Sequence, residues 1–300
     1  MKKAGSLLLL LAVSGIPALC QMDFVGEWAP LFHEDFPERI PGPELGDYMG
    51  IPLNDAGRLR GDSYDADRIS VVTEYQCRPH GGDYSMRGLS NMRVSEEYDP
   101  GSDHLLAIHT RMGFDEQART IWMDGRPHPS ELAQHTFQGF STGTWEDNIL
   151  AVYTTHQKES YLRRNGLPRS DKATFVEHWV RHGNLLTIVT AIADPAFLTE
   201  TLVRSQTWQL DPGQRIGRSY CEYAPEVPKP VGTVPAHLPG TNPFLHEVAD
   251  WYGLPWEATR GRAETMYPEY QDKAPRPEHV PAACNRYCQC GANGGPCNLH

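Results

Sequence analysis

The chain has 300 residues and a formal net charge of −11, from 27 Lys and Arg against 38 Asp and Glu. At that length it can bury a core without covalent staples. No Lys/Arg run is longer than Arg163–Arg164 and no basic stripe appears, so neither nucleic acid nor an anionic membrane surface is an expected partner.

The first twenty residues read as a secretory signal. Lys2 and Lys3 form a positive start, Leu7 to Val13 an apolar run too short to span a bilayer, and Ser14, Gly15 and Pro17 a break. Cleavage is expected after Cys20, with Ala18 and Cys20 as the small residues. Lipidation of Cys20 is the alternative, and Leu19 before it is a poor match for that. No later segment is apolar enough to cross a membrane. The expected location is the periplasm or the medium.

Residues 21–65 are rich in Pro, Gly and Asp and lack a period. They read as an N-terminal arm. From 66 to 271 a β-barrel domain is expected. Strand candidates fall at 68–76, 91–98, 104–111, 118–124, 147–157, 173–182, 184–193 and 201–210, with a ninth near 217–224. Gly, Asp and Pro turns separate most of them. Arg181-His182-Gly183-Asn184 reads as a tight hairpin. Alternation puts Phe175, Glu177, Trp179 and Arg181 on one face, and Leu150, Val152, Thr154 and His156 on one face of another strand. Neither face is purely apolar, which suits a barrel with a partly polar interior. The expected fold is mainly β, an antiparallel calycin-like barrel with one C-terminal helix. That helix is capped by Asn242, carries Phe244, Leu245, Val248, Trp251 and Tyr252 as its stripe, and stops at Gly253. Residues 272–300 read as a linker and a Cys-rich tail.

Seven cysteines occur, and losing Cys20 leaves six, an even number that suits an oxidising compartment. Cys77 and Cys221 stand alone and are expected to form a disulfide. Cys284, Cys288, Cys290 and Cys297 crowd the tail. Two disulfides there, or a metal with His300 as a further ligand, are the competing readings, and the spacing matches no standard zinc module.

Several longer segments carry a resemblance: residues 122–129 (WMDGRPHP), 139–146 (GFSTGTWE) and 238–244 (LPGTNPF). The chain resembles a broad group of exported bacterial proteins of unknown function that carry such segments. The likeness covers most of residues 25–275. It implies export and supplies no activity and no catalytic residue.

No nucleophile elbow, zinc-protease motif, P-loop, haem-attachment motif or Rossmann alternation occurs, so no cofactor is expected. The chemistry-bearing residues are histidines of the β-rich half together with a few partners. His135 and His156 are expected to face one barrel cavity, with Glu177 on a strand beside Trp179 as a carboxylate suited to acid–base work. Arg204 is placed to bind a carboxylate or enolate oxygen, with Trp208 stacking beside the ligand. Arg126 and His128, fixed by Pro127 and Pro129, form a rim. Against this, a strand His is commonly satisfied by neighbours, Glu177 and Arg181 read equally as a surface ion pair, and Arg204 and Trp208 as an exposed cation–π pair. The function read from these residues is binding of a small, partly apolar organic molecule, with non-redox acid–base chemistry such as hydration, dehydration or isomerisation. The rivals are a non-catalytic carrier of a small hydrophobic ligand and an envelope interaction protein using its tail. The sequence leaves the oligomeric state open.

Overall fold

The computed structural model describes residues 22–31, 43–68, 71–113 and 117–274. The signal region, the lone Cys20 and the Cys-rich tail lie outside them. Eleven strands are present among the described residues: β1 (Gly26–Pro30), β2 (Met92–Tyr98), β3 (Leu105–Met112), β4 (Ala118–Trp122), β5 (Phe140–Glu146), β6 (Ile149–Thr155), β7 (Ser160–Tyr161), β8 (Pro168–Arg169), β9 (Thr174–His182), β10 (Leu185–Ala193) and β11 (Leu202–Leu210). Nine close into a barrel in the order β1-β11-β10-β9-β6-β5-β4-β3-β2, and β7 and β8 form a separate pair. Eight barrel contacts are antiparallel. The ninth, β4 with β5, is parallel and joins only Ile121 to Ser141 and Trp122 to Thr142. A closed ring with an odd number of strands cannot alternate direction throughout, so one parallel contact is forced. Residues 123–139 cross back outside the barrel to make it.

The mainly antiparallel barrel anticipated from sequence is therefore present, with nine strands. Residues 68–76 are not a strand: their described part ends in a 3-10 turn, Thr73–Gln76. Residues 217–224 are exposed coil, because no barrel edge is left for them to pair with. β1 lies within what read as an irregular arm, and β5 was not anticipated.

Alternation fills the lumen. Trp28, Met92, Ile108, Ile121, Leu150, Val152, Trp179, Leu186, Ile188 and Trp208 point inward and are sealed from water. Each such side chain contributes roughly 1.5–3 kcal/mol on leaving water. This apolar layer occupies one end of the barrel. At the other end, Phe175, Ile192 and Leu202 meet a second cluster from the arm and the β7–β8 pair: Tyr48, Ile51, Leu53, Leu162, Leu167 and Leu198. The arm holds α1 (Asp55–Asp62), capped by the Asn54 side chain, which accepts from the Gly57 amide. It is tied to the barrel by a bridge from Leu53 to Leu198.

A short helix, α2 (Gly82–Ser85), plugs this second end, and every residue from His80 to Gly88 is buried. The Gly82 amide donates to Gln157 Oε1 at 3.1 Å, Asp83 faces Arg169 at 3.0 Å, and Met86 joins the lumen core. Gly82 packs closely here: a Cβ there would stand 3.2 Å from the Phe175 ring, tighter than an ordinary contact.

Among the described residues the C-terminal part holds three short α-helices rather than one: α3 (Glu247–Tyr252), α4 (Trp256–Thr259) and α5 (Pro268–Gln271). Asn242 Oδ1 accepts from the Phe244 amide at 3.0 Å and starts a turn, not the helix, while its Nδ2 donates to the Asp62 carbonyl. Gly253 does end α3, in the left-handed conformation (φ 63°). No helix of the described residues is long and apolar enough to cross a membrane.

Cys77 and Cys221 are bridged, with Cα atoms 5.7 Å apart and a sequence separation of 144. The bridge fastens an exposed coil, residues 211–241, against the turn before the plug. The Ala224 amide donating to the Tyr75 carbonyl adds a second tie.

Candidate functional site

The residues singled out from sequence fall into three separate places. Glu177 lies in the lumen. Its carboxylate Oε2 stands 2.6 Å from Arg119 Nη2, and both side chains are excluded from solvent. Arg119 also donates to Ser141 Oγ at 3.0 Å and Thr154 Oγ1 at 2.7 Å, and its guanidinium lies over the Phe175 ring. Nothing arriving from solvent reaches Glu177 in this arrangement. Sequence reading missed Arg119, whose position two residues before Ile121 on a short strand was its only signal.

His128, His135 and His156 converge on the outer face of β5 and β6, beneath the crossing segment 123–139. The expectation that His135 and His156 face the lumen fails by one register step. Thr154 points in and Thr155 out, but His156 takes a left-handed backbone (φ 57°), so it stays outside and Gln157 turns in. The rings of His135 and His156 are 5.2 Å apart. His156 bonds to Thr155 Oγ1 at 2.7 Å and the Ser130 carbonyl at 2.9 Å, and His135 to the Gln157 carbonyl. His128 bonds to Thr155 Oγ1 and Thr142 Oγ1 and packs against Phe140 and Tyr153. Burial and the charge of nearby His156 push its pKa down. These contacts fasten the crossing segment to the wall. Arg126 lies exposed on this segment, with its guanidinium 3.5 Å from the Trp122 ring centre and bonded to Asp124.

Arg204 and Trp208 share the inner face of β11 but not a contact. Arg204 donates to the Leu162 carbonyl at 3.0 Å near the plug, whereas Trp208 is wholly buried in the apolar layer. Beside Arg204 stands a cluster that the sequence reading did not single out. Tyr84 is stacked on His80 at 4.4 Å, with Arg87 over its ring. The Tyr84 hydroxyl is buried without a hydrogen-bond partner, and burial pushes it up to about 12 against the pull of Arg87 and Arg164. Glu74 faces His80 at 3.4 Å and Arg164 at 3.1 Å. Burial raises its pKa, but the His80 hydrogen bond and charge and the Arg164 charge outweigh burial and hold it at about 2.

The apolar lumen reaches the surface at the end away from the plug. There Met22, Leu105, Met123 and Trp145 pack on the sealed core from above and floor a cleft of about 1150 Å³. Trp145 is stacked flat on Phe24, which holds its ring in place. The rim carries Asp23, Glu96, Asp99, Asp103 and Asp124, with His104 and Tyr98, and among the described residues no Lys or Arg lines it. Hydrogen bonds from Ser102 and from the Gly101 and Ser102 amides hold Asp99 below the usual carboxylate range. The Arg126 side chain does the same for Asp124.

Among the described residues no group of three or more His, Cys, Asp or Glu side chains is placed to hold a metal ion. Comparison of the chain with protein-family models, with curated proteins and with solved structures finds no match.

Proposed function

We propose that the protein works outside the cytoplasm as a binder of a small, partly apolar organic molecule with a cationic head, which it holds in the cleft without converting it. Such use of a closed barrel, with the ligand at one mouth, is calycin-like in outline. The observation that carries the reading is the lining of the cleft: an apolar floor continuous with the core beneath a carboxylate rim. Mixed linings of this kind bind amphipathic molecules, the floor supplying affinity and the rim orientation. The sign of the head follows from five acidic residues, one of them (Asp124) paired with Arg126, and no Lys or Arg in the lining among the described residues. Location outside the cytoplasm is supported by the Cys77–Cys221 bridge and by the signal read in the first twenty residues.

Binding is favoured over acid–base conversion because the groups that the sequence singled out for such chemistry are not at the cleft, and the rim carboxylates Asp99 and Asp124 are held ionised by their own hydrogen-bond partners. Glu177 is sealed beside Arg119, and His135 and His156 are on the outer wall. An enzyme of that class needs two titratable groups against one reacting centre.

Titration calorimetry with tryptamine tests the reading. Tryptamine should bind at one site with an affinity that falls as salt rises, and Leu105→Arg should abolish the heat by placing a cation in the floor. Absence of binding in the millimolar range, or unchanged binding by Leu105→Arg, overturns it.

A further inference from the structure

A second pocket, of about 330 Å³, opens at the other end of the barrel. Its apolar walls come from Val71 and Val72 before the 3-10 turn, Phe137 at the end of the crossing segment, and Tyr161 of β7. Arg60, Arg78 and Glu159 bring the charges, and Thr73, Gln76 and Ser160 complete the lining. We propose that this pocket is a binding site for a small anionic molecule with a planar apolar body, of the aromatic carboxylate class.

Three features lead there. The volume lies at the small end of the range for ligand sites, the size of a one- or two-ring molecule. Phe137 and Tyr161 offer flat apolar faces to such a ring. The charge around the mouth runs against the sign of the whole chain. Arg60 is paired with Glu159 at 2.9 Å, whereas Arg78 is exposed and makes no ion pair among the described residues. Lys158 adds a third cation, its ammonium 4.8 Å from the Phe137 ring centre. Both arginines act electrostatically on the Tyr161 hydroxyl at the pocket wall, where Glu159, the ion-pair partner of Arg60, opposes them. Glu74 also acts on that hydroxyl, but its carboxylate is engaged by His80 and Arg164. A guanidinium presents a planar fork of donors that fits a carboxylate, and a ring stacked beside it is desolvated at the same time.

This site does not depend on the acidic cleft. β5 runs from Phe140 near the pocket to Glu146 near the cleft, so the two lie at opposite ends of a seven-residue strand, about 20 Å apart.

The test is titration calorimetry of the full chain with indole-3-acetate, with uncharged 3-methylindole and with tryptamine. Indole-3-acetate should bind at one site, and 3-methylindole at least about tenfold more weakly there. Arg78→Glu should weaken indole-3-acetate by about tenfold or more, leave tryptamine unchanged and keep the thermal midpoint, since the side chain is exposed. Arg78→Lys should restore part of the affinity, and Val72→Trp should fill the pocket and remove binding. The proposal is overturned if indole-3-acetate gives no heat in the millimolar range, if Arg78→Glu binds it as the parent does, or if 3-methylindole binds equally well. Loss of tryptamine binding alone speaks to the cleft and not to this pocket.

Discussion

Arg119 on β4 and Glu177 on β9 meet across the lumen at 2.6 Å, with 1% and 0% of their side chains exposed. The pair sits beside the Trp-rich layer, where an uncompensated charge is costly. Removing one partner of such a pair typically costs about 3–5 kcal/mol, because the other charge stays buried. Glu177→Gln should destabilise the protein by that amount in urea unfolding, and Arg119→Met by a similar amount. The double replacement Arg119→Met with Glu177→Leu should recover most of the loss. If Glu177→Gln unfolds at the parent urea midpoint, the pair is not holding the wall together.

Glu74 gives the fold an acid limit. Its carboxyl is held at about 2 in the folded chain against an ordinary value of 4.5. A depressed carboxyl contributes stability that is fully present above the unfolded value and is lost as pH falls through the folded one. The window is therefore pH 4.5 down to about 2. The shift corresponds to about 3 kcal/mol. Stability measured against pH should fall across this window, and Glu74→Gln should flatten the fall while lowering stability at neutral pH.

His128 acts in a higher window with the opposite charge. Its pKa is lowered in the folded chain by burial and by the charge of His156. The folded state thus favours the neutral ring, and stability should decline as pH drops below the ordinary imidazole value of 6.5. His128→Gln should remove this dependence. It should also cost about 1–2 kcal/mol, since two threonine hydroxyls lose a buried partner. Thermal melts at pH 8 and pH 5.5 decide it: an equal loss for parent and variant on acidification would show that His128 does not carry the effect.

Opening the Cys77–Cys221 bridge should act on the coil more than on the barrel. Closing a 144-residue loop stabilises by up to about 5 kcal/mol in the chain-entropy description. Residues 211–241 are irregular and mostly exposed, tied besides the bridge by single contacts such as the Ala224 amide to Tyr75, the His237 amide to Ser63 and Glu226 to Arg68. Cys221→Ser should make this stretch the first site of cleavage in limited proteolysis, with the barrel fragment surviving longer. First cleavage within β9 or β10 would show that the bridge protects the barrel itself.

The long strands were legible because nine residues of unbroken alternation leave little choice: β9, β10 and β11 lie where their patterns put them. β1 was not, since Gly26 and Pro30 bound a five-residue strand that reads as a turn. β5 was hidden for another reason. Its inner face carries Ser141 and Gly143 before Trp145, the first two small because Arg119 and Met123 press against them, so a lone tryptophan is all the apolar face that the sequence shows. The histidines were found, but their side of the wall was set by a single left-handed residue, which alternation cannot foresee. The cleft had no local signal at all. Met22, Leu105, Met123 and Trp145 come from four separate stretches and meet only once the barrel closes. The plug did have one, a run dense in Arg, His, Asp, Tyr and Gly from Arg78 to Gly88 with no period.

The odd strand count leaves one thin seam. β4 and β5 share two residue pairs, whereas β9 and β10 share nine. A cylinder under thermal stress parts where its stitching is sparsest, so the wall breathes at this seam first, and amides of Ile121, Trp122 and Ser141 should be the earliest of the wall to exchange with deuterium. The crossing segment, pinned by its histidines, lies over the end of that seam like a clasp. Loosening those histidine contacts should therefore show first as faster exchange at this seam.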